Sequence, residues 1–133
     1  MLKSLAKYIE NQTTLVIGTT LFAGFIPSEV TGPAVVMMET GGPPHKMLTD
    51  RINPTVMFRS RAVSYWDSRE LIFIVWELLR DPRFNVTLPI VDSGGVYMVN
   101  AFDNLQMPSS IGQDANGQHE FSTNFIVRAS IES

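Results

Sequence analysis

The sequence contains no cysteine, which excludes a disulfide framework, a zinc–thiolate centre and a thiol nucleophile together. Charge is scarce as well. Only 17% of the residues are Asp, Glu, Lys or Arg, and the ten basic ones are scattered, so no run or stripe is placed to neutralise a series of phosphates. Sequence-driven binding of nucleic acid is not expected. The two histidines, His45 in a Pro-rich stretch and His119 at the start of an alternating segment, lack the short spacing of a paired metal site and read as structural residues. Gly41-Gly42 and Ser93-Gly94-Gly95 lack the Lys and Ser/Thr of a phosphate loop and read as turns. Long apolar runs are missing too: Leu15 to Ile26 is interrupted by Thr19 and Thr20, and Glu10, Asn11 and Gln12 separate it from the basic start. Neither a membrane span nor a signal peptide is expected, and the protein reads as cytosolic when made.

What is present fits one folded unit. A chain of 133 residues supports one hydrophobic core and not two. With 44% hydrophobic residues it lies at the apolar end for a soluble protein, so part of that surface is expected to be covered by a partner. Leu2, Leu5, Ala6 and Ile9 recur at helical spacing opposite Lys3, Lys7 and Glu10, which predicts an amphipathic helix over 2–12. "TTLFAGFIP" predicts a strand over 20–26 that stops at Pro27, and the Ala34–Thr40 run is apolar on both faces, as a central strand requires. "GGPPHKMLTDR" forbids helix and strand continuation and predicts an exposed loop over 41–52. Strict alternation then returns, with Val56, Phe58, Ser60 and Ala62 on one side and Met57, Arg59, Arg61 and Val63 on the other.

"SYWDSRELIFIVWELLRDP" holds a run that read alone fits a buried strand, but its length and ends favour a helix. Ser64 is followed three positions later by Asp67, acids occupy the first turn, and Pro82 supplies the stop. The predicted helix 65–80 buries Tyr65, Ile72, Val75 and Leu79 and leaves Phe73 and Trp76 outside that stripe. Further strands near 86–91, 95–102 and 119–131 complete the set, with a loop over 103–118. The expectation is one α+β domain over 1–133, a single mixed, mainly antiparallel sheet with helices packed on one face.

No residue cluster assembles a catalytic centre. Asp114, Asn116 and Gly117 have the opening spacing of a calcium loop, but no glutamate stands where such a loop takes its last two oxygens, so Asn-Gly reads as a turn opening a strand. Asp67 and Glu70 are explained by the helix dipole, and Arg59 and Arg61 by a solvated strand face that is also able to meet a partner's carboxylate. No cofactor or metal is called for. The surplus of Met37, Met38, Met47, Met57, Phe73, Trp76 and Met107 over what a small core absorbs points instead to burial in an interface. Polar positions in the loops, Lys46, Asp50, Arg51 and Asp114, join Met37, Met38, Arg59, Arg61, Phe73, Trp76 and Met107 as candidate subunit or partner contacts.

Three stretches taken in order, "LFAGFIPSEVTGPAVVMMETGGPPH", "NPTVMFRSRAVSYWDSRELIFIVWELL" and "MPSSIGQDANGQHEFSTNFIVR", resemble the minor capsid and tail-terminator family of long-tailed bacteriophages, akin to that of phage lambda. The likeness rests on the Pro27 turn before a strand, Glu39 to Gly42 closing one, an aromatic-led helix after an Arg-bearing strand, and the Gly112 to Gly117 loop before the last strand. The apolar "LIFIVW" departs from the charged and alanine-rich helix common there. The resemblance implies a non-enzymatic virion protein with a sheet-plus-helix fold, assembled as a hexameric ring at the head-proximal end of the tail tube. Its partners would be other copies, the tail tube protein and a head-completion or stopper protein, with DNA passing through the lumen without sequence-specific binding. A head–tail stopper or adaptor, and an unrelated α+β small-ligand-binding domain with a pocket between loops 41–52 and 103–118, are the alternatives.

Overall fold

A computed structural model describes residues 1–41, 51–80, 86–91 and 96–132. The first helix, α1 (Leu2–Gln12), turns Leu5, Ala6, Tyr8 and Ile9 into the protein. It ends where Thr13 becomes extended and its hydroxyl donates to the Ile9 carbonyl at 2.7 Å, taking up an acceptor that the helix would leave open. Glu10 then fixes the chain that follows. One of its carboxylate oxygens accepts from Lys7 Nζ at 2.8 Å and the other from the Ile17 amide at 2.7 Å.

The strands are β1 (Leu21–Ala23), β2 (Ala34–Gly41), β3 (Arg51–Ile52), β4 (Thr55–Ala62), β5 (Val86–Thr87), β6 (Val96–Gln113) and β7 (His119–Glu132), with α2 (Tyr65–Arg80) between β4 and β5. They form one seven-stranded sheet in the order β1-β2-β4-β7-β6-β5, with β3 pairing β7 beyond the end of β4. Among the described residues, β1 and β2 are the one parallel strand pair, and the other strand pairs are antiparallel. The mixed, mainly antiparallel α+β domain expected from the sequence is therefore the fold.

Alternation decides which face each strand buries. Val56, Phe58, Ser60 and Ala62 of β4 and Phe121, Thr123, Phe125, Val127 and Ala129 of β7 are all buried, and both helices pack over that face. From α2 come Ile72, Val75 and Leu79, and from α1 Leu5 and Ile9. Phe58 and Phe125, both fully enclosed, meet edge to face with ring centroids 6.0 Å apart. Each such side chain contributes about 1.5–3 kcal/mol through burial. One polar contact joins helix to sheet inside this core: the Ser60 hydroxyl donates to the Ser68 carbonyl at 2.7 Å and lies 2.9 Å from the Ser68 hydroxyl. The other face carries a smaller cluster, Phe22, Ala34 and Val36, covered by Ile26, Val30 and Met38.

Four boundaries differ from the sequence reading. β1 is three residues long because Gly24 turns away at φ 92°, and β5 covers only Val86–Thr87. A short strand, β3, stands at the end of the predicted loop 41–52, whose positions 42–50 lie outside the described residues. The fourth is the largest. The predicted loop 103–118 is mostly strand, since β6 continues to Gln113 and only the turn to His119 remains. Tyr65, expected in the buried stripe, is 38% exposed, its ring standing against Trp66, His119 and Phe121 at the entry to α2.

Candidate interaction surfaces

Two exposed surfaces with large apolar side chains are built on the two longest elements, β6 and α2. Along β6 the register with β7 slips at four places, between Val99 and Ala101, Asn104 and Gln106, Gln106 and Ser109, and Ser110 and Gly112. At each slip β6 holds one residue more than its partner. A residue in excess of the ladder bends the strand and is released from strict two-face alternation. Leu105, Met107 and Ile111 all fall within these slips, and they are 54%, 60% and 52% exposed. Three large apolar side chains are thus aimed into solvent along one arm of the hairpin.

Asn104 holds the arm in this form. Its carbonyl oxygen accepts from the Trp76 indole at 3.0 Å, and its amide nitrogen lies 2.9 Å from the Gln106 carbonyl, 3.0 Å from the Asn124 carbonyl and 3.1 Å from the Thr123 hydroxyl. The Thr123 hydroxyl in turn donates to the Gln106 carbonyl at 2.6 Å. A single amide therefore ties α2, the first bulge of the arm and β7 together. At its tip the hairpin is closed by Asp114, whose carboxylate accepts from the Asn116 and Gln118 amides, each at 2.9 Å, while Gly117 supplies the positive φ of 78°. The Asp114 to Gly117 segment is accordingly the turn that the sequence suggested.

The second surface is the outward side of α2. Trp66, Glu70 and Glu77 lie two positions out of phase with the buried Ser68, Ile72 and Leu79, so at 100° per residue they face away from the sheet, while Phe73 is half-buried at the edge of the core and stands against Trp76. Together with Arg69 and Ile74 these four residues line an open groove of about 480 Å³. Trp66 is 70% exposed at one end, and the Arg69 guanidinium lies 4.2 Å above the Phe73 ring. A separate cleft of about 410 Å³ lies between α1 and β1, with Lys3 and Lys7 beside Ala6, Ile17, Leu21, Phe22 and Val91.

The candidate contact residues are scattered over these features. Met107 stands on the bulged arm. Phe73 lines the α2 groove, whereas Trp76 is half-buried, bonded to Asn104 and covered by Arg80 at 4.4 Å. Met37 corrects the reading: it is fully buried on the helix-covered face, and Met38 is half-buried in the small opposite cluster. Arg59 reaches Glu120 at 3.2 Å, and Arg61 donates to the Val30 carbonyl at 2.7 Å, which fastens the segment before β2 onto the sheet. Arg51 pairs through its backbone with Ser130, while Lys46 and Asp50 lie outside the described residues. Asp114 is occupied by the hairpin turn. Sequence reasoning missed Trp66, Leu105 and Ile111.

Among the described residues no group of three or more potential metal ligands is assembled, and no helix is long and apolar enough to cross a membrane. No family model matches the chain, and no curated protein matches it.

Proposed function

We propose that this chain is a virion structural protein, a tail terminator of a long-tailed bacteriophage that closes the head-proximal end of the tail tube as a ring of identical subunits. The observation carrying this reading is the pair of unlike exposed surfaces, the apolar bulged arm Leu105, Met107 and Ile111 and the groove of α2, where Trp66 and Phe73 stand among Arg69, Glu70 and Glu77. A closed ring larger than a dimer needs two different patches on every subunit, one for each neighbour, whereas a two-fold dimer needs a single self-complementary patch. The order of sequence motifs and the α+β architecture agree with the same assignment. The chemistry required is assembly: the ring covers the growing face of the tube, prevents further addition, and offers its other side to the head-completion proteins.

Imaging of an intact particle at side-chain resolution tests the assignment. The expected result is a ring, six copies by the family resemblance, at the junction of tail tube and head. A ring seated on the head connector and out of contact with the tube would replace the terminator with a stopper, and absence of the chain from the particle would refute both.

A further inference from the structure

The tip of the β6–β7 hairpin carries the elements of a covalent reaction. Asn116 is the only asparagine in the chain that is followed by glycine. Asparagine is thermolabile because the backbone nitrogen that follows it is able to attack its side-chain carbonyl carbon, and a glycine there has no Cβ to block the approach. The surroundings are open as well. Ala115, Asn116 and Gly117 are all exposed, and among the described residues nothing stands within 4 Å of where a Cβ on Gly117 would lie, its chain neighbours aside.

The turn itself holds the reacting nitrogen back. The Gly117 amide donates to the Asp114 carbonyl at 3.0 Å, and that bond must be released before the nitrogen is free to give up its proton and close on the Asn116 side chain. Asp114 fastens the same turn three times more. One of its carboxylate oxygens accepts from the Asn116 and Gln118 amides at 2.9 Å each, and its own amide donates to the Gln118 carbonyl at 2.9 Å. The residue that shapes the hairpin tip is therefore also the one that restrains its chemistry.

We propose that Asn116 is a site of spontaneous deamidation whose rate is set by the Asp114 clamp; the proposal does not depend on the ring reading above. When the turn opens, the Gly117 nitrogen bonds to Asn116 Cγ, the bond from Cγ to the side-chain nitrogen breaks, and the proton from Gly117 passes through water to that nitrogen, which leaves as ammonia. A five-membered imide remains. Water then adds to either of its carbonyl carbons, placing hydroxyl on the carbon and a proton on the Gly117 nitrogen as the bond between them breaks, and the new acid loses its proton to solvent. Addition at the backbone carbonyl gives isoaspartate, and addition at Cγ gives aspartate. Both products place a second carboxylate two positions from Asp114, and isoaspartate lengthens the main chain by one methylene, so the Asn116 and Gln118 amides no longer share one oxygen. The change is confined to the tip, because the β6–β7 ladder behind Gln113 and His119 does not run through it.

The test incubates the full chain in warm, mildly alkaline buffer prepared with heavy-oxygen water, beside a free peptide spanning 109–123, and follows both by peptide mapping and mass spectrometry. Asn116 is expected to convert ahead of every other asparagine, to take up one heavy oxygen, and to give isoaspartate and aspartate as separable products. The folded chain should react about tenfold or more slowly than the peptide, and Asp114→Ala, which releases two amides at once, should recover most of that difference. Asp114→Asn keeps an oxygen able to accept from both amides and should stay near the parent rate. Conversion of other asparagines first, or none at Asn116, would overturn the site. Equal rates in chain and peptide, no acceleration by Asp114→Ala, or an acceleration shared with Asn11 and Asn124 would overturn the clamp.

Discussion

Replacing Asn104 with alanine removes the side chain that couples α2 to the bulged arm, and the consequence follows from its geometry. The amide accepts one hydrogen bond, from Trp76, and its two hydrogens serve three acceptors between 2.9 and 3.1 Å. A typical intramolecular hydrogen bond contributes about 0.5–1.5 kcal/mol net. Three bonds made by an exposed residue fall at the low end of that range, so Asn104→Ala should destabilise the fold by about 2 kcal/mol. Trp76→Phe deletes only the indole donor and part of the ring, so the double variant should be less destabilised than the sum of the two single changes, with a coupling of about 0.5–1 kcal/mol. Urea unfolding followed by far-ultraviolet circular dichroism measures all four proteins. Amide exchange adds a local reading: protection should fall first between Gln106 and Ile111. A destabilisation of Asn104→Ala below about 0.3 kcal/mol, or additive single effects, would refute the role given to this amide.

Ser60→Ala should cost about 1–3 kcal/mol in chemical denaturation, because it leaves the buried Ser68 hydroxyl without its partner, and Ser60→Ala with Ser68→Ala should recover part of that loss. Glu10 is held below its ordinary value of 4.5 by the Lys7 ammonium and then by the Ile17 amide. Its stabilising effect is therefore fully present above pH 4.5 and is lost as pH falls through the depressed value; unfolding curves across that window should show a shallower acid slope for Glu10→Gln. Gly117→Val should lower stability by about 1–2 kcal/mol, since φ 78° is costly for a β-branched residue, with the exchange of Asp114 and Gln118 amides rising first.

How much of this was legible in the sequence depends on whether a segment keeps its period. β4 alternates without interruption and β7 departs from alternation only at the buried Ser122 between Phe121 and Val127, so the buried positions Val56 to Ala62 and Phe121 to Val127 were readable from that pattern. β6 was not, because each of its four slips inverts the phase; beyond Phe102 the residues cease to alternate and read as a loop. Met37 was misplaced because Ala34 to Met38 is apolar at every position, so nothing marks which side faces the larger core. The extent of α2 was correct, but aromatic character alone did not show that Trp76 is engaged by Asn104 while Trp66, nearly three turns nearer the start, is largely exposed. A cue was available for the arm. Leu105, Met107 and Ile111 lie in an uncharged stretch with Pro108, where a solvated loop of that length ordinarily carries charge.

The central claim concerns a stop signal. A tube built by repeated addition of identical subunits has no intrinsic end, and the proposed ring supplies one by covering the growing face. The most direct measurement is the length distribution of tail tubes, by electron microscopy, in particles assembled without this chain. The account predicts filled heads lacking tails beside unattached tubes that overrun their normal length. Tubes of normal length that merely fail to attach would contradict it.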